Sequence, residues 1–299
     1  MNKTLNIFKE VYYHPYNNSH PIEAFFRVTK WCLMKKILKR DYLANFWGYK
    51  INMWRDSAQS RFLAFFSLID WQEFNFIKSY LRTGDHVFDV GANIGLYTLW
   101  MKKCTGPQGK VTAFEPDTKN HNRLVANIKL NKLSNVTIEK LALSNCKGII
   151  SFTAGQDVLN HVVFKTQNEQ VKIEVEATTI DEYCAIKGIK QIALLKIDIE
   201  GAEYFAFQGA EKMLEAGLID VILFEMNYTM RRYKLQGSQV GDLLKKHGYD
   251  LYTYQVDTNE LKLLEEEINI DKQMNYFAIR DVAKVRKNLQ QSGRNMNLN

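Results

Sequence analysis

No stretch of this sequence approaches the run of about 18 uncharged apolar residues that crosses a bilayer as a helix, and its start, MNKTLNIFKEVYYHP, has no continuous apolar segment of the kind a secretory leader needs. A cytoplasmic location is therefore expected. Cysteine is scarce: Cys32, Cys104, Cys146 and Cys184 are far apart, with no C-x-x-C and no nearby histidine pair. Reduced, mostly buried thiols are expected, and no metal. The chain also lacks a G-x-G-x-x-G turn, and with it the usual pyrophosphate cradle of a dinucleotide site. Acidic residues are missing between Arg27 and Arg40.

What is present is a globular composition, 46% hydrophobic and 24% charged over 299 residues, enough for one domain of about 200 residues plus an extension. Charge is uneven. Residues 1–80 hold 12 Lys/Arg against 6 Asp/Glu, whereas residues 81–299 hold 28 against 27. A nearly neutral larger part argues against a broad nucleic-acid face, which relies on clustered Lys/Arg.

The richest stretch is HVFDVGANIGLYTL, residues 86–99. It reads as a buried strand ending at Asp89 and Val90, a turn flanked by Gly91 and Gly95 around Ala92, Asn93 and Ile94, and a helix start. Glycine is expected there so that a ligand can approach the turn. A second buried strand, GKVTAFEP, puts Glu115 before Pro116, 20 positions past Gly95. An acid so placed can grip both ribose hydroxyls of a nucleoside. Asp89 beside the turn would repel pyrophosphate but suits a positively charged ligand. S-adenosylmethionine, with an ammonium, a sulfonium and no phosphate, fits. The bland reading is a structural glycine pair with a solvated Glu115.

The rest alternates as a doubly wound α/β sheet would. Residues 117–132 read as a helix and 135–145 as a third strand; 148–153 and 171–178 read as an inserted β-hairpin around a polar loop with Asp157, Asn160 and His161. Residues 193–201 and 219–227 read as two further strands, 237–247 as a helix, and GYDLYTYQ with residues 274–280 as the last pair. Before the first glycine turn, residues 60–81 have one helical period. Residues 22–46 carry Ile22, Phe26, Leu33 and Ile37 at helical spacing, widened by Trp31, Met34 and Leu38, among Arg27, Lys30, Lys35, Lys36, Lys39 and Arg40. That segment is either packed on the domain with its charges in water, or an interfacial helix on an anionic membrane or an acidic, lipid-linked glycan at the cytoplasmic face.

DVGANIGLYT, AFEP, TTIDEY, LLKIDIEGAE and Gly209-Ala210 together resemble the FkbM family of S-adenosylmethionine-dependent methyltransferases over roughly residues 85–280. The resemblance implies a Rossmann-like class I methyltransferase sheet of seven strands with the last antiparallel, and O-methylation of a sugar, glycan or other natural product. The expected organisation is a helical basic extension over 1–80, the methyltransferase domain over 81–282 and a disordered tail over 283–299. Asn93 stands where many methyltransferases have glycine, in agreement with FkbM proteins.

The expected cofactor contacts are Asp89 to the methionine amino group through water, Gly91, Ala92, Asn93 and Gly95 in the turn, Glu115 and Pro116 at the ribose, Ser144 or Asn145 at the adenine, and Asp198. A hydroxyl acceptor must lose a proton, and Asp198, Glu200, Glu225 and His161 are the candidate bases. Glu203, opening a helix after Gly201, reads better as a partner of that helix N-terminus. A nucleic-acid methyltransferase is disfavoured by the neutral domain and by the absence of an N/D-P-P-Y/F signature. A non-catalytic cofactor-binding scaffold, or an NAD-linked oxidoreductase, would keep the fold.

Overall fold

The computed structural model describes residues 9–68, 70–153, 161–163 and 172–292. Its strands are, in chain order, β1 (Tyr42–Phe46), β2 (Tyr49–Met53), β3 (His86–Val90), β4 (Lys110–Phe114), β5 (Val136–Glu139), β6 (Ala142–Leu143), β7 (Gly148–Thr153), β8 (Val162–Val163), β9 (Lys172–Thr178), β10 (Ile192–Ile197), β11 (Ile219–Met226), β12 (Asp250–Gln255), β13 (Glu260–Leu263) and β14 (Met274–Ile279). The large sheet runs β13-β12-β14-β11-β10-β3-β4-β5. Strands β5, β4, β3, β10 and β11 are parallel, and β14 is antiparallel to both neighbours. The sheet is the expected doubly wound one with an antiparallel late strand, but it has eight strands. The extra strand, β13, is a short, largely exposed edge, and its ELKL sequence carries little apolar signal.

The central strands are apolar throughout because both faces are covered. Val87, Val111, Leu194 and Val221 point into one core, and Phe88, Phe114, Leu195 and Ile222 into the other. Lysine and aspartate in such strands are exceptions, and the register pairs them: Lys196 of β10 lies opposite Asp89 of β3.

Several expected elements differ. The 135–145 strand is two, β5 in the large sheet and β6 in a second sheet of order β6-β9-β7-β8. The inserted hairpin forms as β7 against β9; Asp157 and Asn160 lie outside the described residues. The 60–81 segment is two helices, Ala58–Phe66 and Trp71–Tyr80, broken at Ser67, whose φ is 65°. The second helix belongs to the main core, with Phe76 4.3 Å from Phe277 ring to ring, so the boundary expected at residue 80 cuts through packed structure. The extension is not wholly helical. Its helix Pro21–Cys32 continues as a wide turn over Leu33–Leu38 and stops at Lys39, and the β1–β2 hairpin follows. The expected disordered tail is instead a helix over Val282–Ser292, anchored by buried Val285 and Leu289; residues 293–299 lie outside the described ones.

Candidate active site

In an open α/β sheet, ligands sit beyond the carboxyl ends of the strands where the winding reverses. Here the reversal falls between β3, which leads outward to β4 and β5, and β10, which leads to β11. A cavity of about 320 Å³ opens there.

The turn after β3 forms one wall. Gly91 and Ala92 donate their N–H groups to the Phe114 carbonyl, and the Asp198 N–H bonds the Val90 carbonyl. These bonds hold the ends of β3, β4 and β10 together. A Cβ on Gly91 would lie 1.9 Å from the Asp198 carbonyl oxygen. Glycine is therefore needed for the closure of backbone on backbone, and its role in giving a ligand room is corrected to that extent. Asn93 follows in the left-handed region, φ 49°, a conformation asparagine tolerates.

Glu115 is the best-organised acid of the wall. Its Oε2 accepts the Asn93 N–H at 2.7 Å and its Oε1 the Asp117 N–H at 2.9 Å. Each oxygen keeps a lone pair. Burial pushes this carboxyl up to about 8, against the two backbone donors. Nearby, the buried side-chain oxygens of Asn93 and Asn120 lack hydrogen-bond partners among the described residues, and both residues line the cavity. Orphaned polar atoms of this kind mark ground a polar ligand would satisfy. Phe114, Leu141, Leu143 and Phe152 add apolar lining.

A second group of charges lies beneath and beside the turn. Lys196, 4% exposed, lies 3.7 Å from Asp89 and 3.4 Å from Asp198, with its ammonium 4.8 Å above the Tyr97 ring. Burial alone would lower its pKa, but Asp198, Asp89 and Asp70 outweigh burial and raise it. Asp89 accepts the Thr98 hydroxyl, and burial raises its carboxyl in spite of Lys196. Tyr97 donates to Asp70 at 2.7 Å. Burial likewise raises Asp70.

The third group is a triad of carboxylates. Asp198, Glu200 and Glu225 each offer an oxygen within 4.8 Å of the others, a spacing that a cation or an acceptor hydroxyl could bridge. Burial, then the charges of Asp198 and Glu225, push Glu200 up to about 9. Burial, then Asp198, carries Glu225 up to about 8. Glu225 is fixed by Gln273 at 2.5 Å and Asn227 at 3.0 Å.

Of the residues expected from sequence, Gly91, Asn93, Glu115, Pro116, Asp198, Glu200 and Glu225 line the cavity, and Asp89, Ala92, Gly95, Ser144 and His161 do not. Asp89 is fully buried behind the wall and serves Lys196. Ser144 packs against Gly209, where an added Cβ would meet its carbonyl oxygen at 2.0 Å, and Leu141, Ala142 and Leu143 just before it line the cavity instead. His161 is buried, its backbone N–H donated to the Thr153 hydroxyl at 2.8 Å, and it does not line the cavity, which removes it from the candidate bases. Glu203 accepts the Ile199 and Gly201 N–H groups and ties its own turn. Sequence reasoning missed Asp70, Tyr97, Lys196 and Gln273. Only Lys196 carried a signal, a cation inside the apolar run ALLKI.

Residues 89–251 match the family model described as the methyltransferase FkbM domain. The chain is 31% identical over 163 residues to methyltransferase sdnD of Sordaria araneosa, covering 44% of this chain and 62% of that protein. It is 26% identical over 160 residues to methyltransferase 1 of Beauveria bassiana (strain ARSEF 2860), covering 47% and 64%. The 31-O-demethyl-FK506 methyltransferase FkbM of Streptomyces tacrolimicus is 27% identical over 161 residues, covering 44% and 61%. The chain thus spans less than two thirds of these relatives. The crystal structure of methyltransferase FkbM from Methylobacillus flagellatus KT aligns with a TM-score of 0.43 at 14% identity, covering 67% of this chain and 44% of that one. Since the family model matches more than half of its residues, from the end of β3 into β12, this chain belongs to the FkbM methyltransferase family.

Proposed function

We propose that this protein transfers a methyl group from S-adenosylmethionine to a hydroxyl oxygen of a sugar, glycan or other natural product. The observation that carries the reading is the pairing, in one cavity, of the backbone-anchored Glu115 with the Asp198–Glu200–Glu225 triad. The unpartnered oxygens of Asn93 and Asn120, the acid-rich rim and the apolar lining fit a cationic nucleoside. Glu115 would hold the ribose hydroxyls, Asp198 the methionine ammonium, and Phe114, Leu141 and Leu143 the adenine. Bound there, the cofactor supplies an electrophilic methyl carbon on a positively charged sulfur.

The chain's own work is alignment, exclusion of water and removal of one proton. Glu200 and Glu225 would take the proton that the acceptor hydroxyl loses on methylation, the sulfur leaving as neutral S-adenosylhomocysteine. Carboxyls raised toward neutrality are stronger bases than ordinary ones and remain partly ionised near pH 8, which suits that role. The charge of Glu225 raises Glu200, so the base is this pair rather than one member.

The test is transfer of an isotopically labelled methyl group to a panel of sugars, glycans and polyketides, with Glu225→Gln alongside. Labelled product is expected with at least one hydroxyl acceptor. Glu225→Gln should lower kcat by roughly 10²–10⁴-fold with the cofactor Kd little changed. Methylation confined to nitrogen or carbon, or an unchanged kcat in Glu225→Gln, contradicts the reading.

A further inference from the structure

The helix Pro21–Cys32 and the wide turn Leu33–Leu38 sit on the domain by the side opposite to their apolar stripe. Ala24 and Trp31 are the buried residues of the helix. Ile22, Phe26, Leu33 and Ile37, one or two helical turns apart, face water at 73%, 66%, 43% and 71% exposure, with Phe25 and Leu38 flanking them. An exposed apolar run of this length on a soluble domain marks an interaction surface.

Its surroundings are basic. Lys30, Lys35, Lys36, Lys39 and Arg40 are all exposed. The ammonium of Lys30 lies 4.8 Å above the Tyr42 ring and that of Lys35 5.5 Å above the Trp31 ring. The two acids of the segment are engaged elsewhere: Glu23 with Arg27 and the Tyr16 hydroxyl, and Asp41 with the Arg55 N–H. Ahead of the helix, Tyr12 and Tyr13 are exposed as well.

We infer that this face docks in the plane of an anionic lipid bilayer, with the stripe from Ile22 to Ile37 in the headgroup–acyl boundary and the lysines on lipid phosphates. Charge complementarity selects this occupant. A stripe of phenylalanine and isoleucine bordered by cations, with no acid free among them, matches a surface that is apolar below and anionic above. A nucleic acid would leave the apolar stripe in water. No helix among the described residues is long and apolar enough to cross a membrane, so the segment lies on the surface rather than spanning it. The docked helix is tied rigidly to the cavity: Arg27 donates to the Ala64 carbonyl at 2.8 Å, and the helix bearing Ala64 carries Gln59 and Phe62, which line the cavity.

The test is co-sedimentation of the full chain with phosphatidylcholine vesicles, with and without phosphatidylglycerol, at low and high salt. Two variants accompany it, Ile22→Ser/Phe26→Ser/Ile37→Ser and Lys35→Gln/Lys36→Gln/Lys39→Gln. All six positions are exposed, and a thermal melt checks that each variant folds. Binding is expected only to phosphatidylglycerol vesicles, weakened at least tenfold by high salt and by loss of the lysines, and abolished by the serine variant. No vesicle binding by the parent chain, binding indifferent to the serine substitutions, or a dimer that the serine variant dissolves without any vesicle binding would each overturn it.

Discussion

A methyl carbon placed on Gly91 would lie 1.9 Å from the carbonyl oxygen of Asp198. Two loops from distant parts of the chain are thus pressed together at the floor of the cavity, and the acid that follows β10 reaches the rim because the residue that follows β3 has no side chain. The same contact couples stability to ligand binding.

Gly91→Ala is therefore expected to cost about 2–4 kcal/mol, combining backbone displacement with the left-handed strain of φ 75°. Gly84→Ala is the control. Its φ is 95° but nothing lies within 4 Å of the added carbon, so only the strain, about 1–2 kcal/mol, remains. Urea denaturation of the two variants checks the order; equal losses would refute the close-packing argument.

Lys196→Met should be among the most damaging single changes in the sheet. It leaves Asp89 buried without its cation and Asp198 without its neighbour. A loss of about 3–5 kcal/mol is expected. Asp89→Asn/Lys196→Met should recover part of it, since the double change removes the stranded charge, and a double-mutant cycle measures the coupling.

Raised carboxyls also set a pH dependence. Glu200, Glu225 and Glu115 hold protons in the folded state at pH values where the unfolded chain, with ordinary glutamates near 4.5, has lost them. Folding then binds protons, so stability is fully present below about pH 4.5 as far as these groups are concerned and is lost as pH rises through about 8 to 9. The melting temperature of the ligand-free protein should fall between pH 6 and 9, and Glu200→Gln/Glu225→Gln should flatten that slope. A melting temperature rising over the interval would contradict the raised carboxyls of Glu200, Glu225 and Glu115.

Much of this was legible in the sequence because the signals are local. Val87 to Val90, the glycine turn and Glu115 form a strand, turn and strand end that a local pattern reveals, although the contact that requires glycine at 91 comes from distant Asp198. Asp198, Glu200 and Glu225 were placed by being at strand ends of an alternating pattern. What was hidden depends on pairing across the chain. The fate of Asp89 is decided by the β3–β10 register that sets Lys196 opposite it. His161 could not be located without the β7–β8 pairing that buries it. Asp70 lies in the break between two helices that one continuous period concealed, and β13 is too short and polar to stand out. The orientation of residues 22–38 was equally out of reach, because periodicity gives a stripe but not which side of the helix meets the domain.

In the proposed binding mode, the cavity over β3, β4 and β10 holds S-adenosylmethionine with Glu115 on its ribose. Calorimetric titration of the parent chain and of Glu115→Gln with S-adenosylmethionine, beside NAD, tests it most directly. One saturable site for S-adenosylmethionine, no heat with NAD, and a Kd raised about 5–150-fold in Glu115→Gln are expected, the equivalent of 1–3 kcal/mol for a lost charged hydrogen-bond partner. No binding of S-adenosylmethionine by the parent chain, or an unchanged Kd in a folded Glu115→Gln, would contradict it.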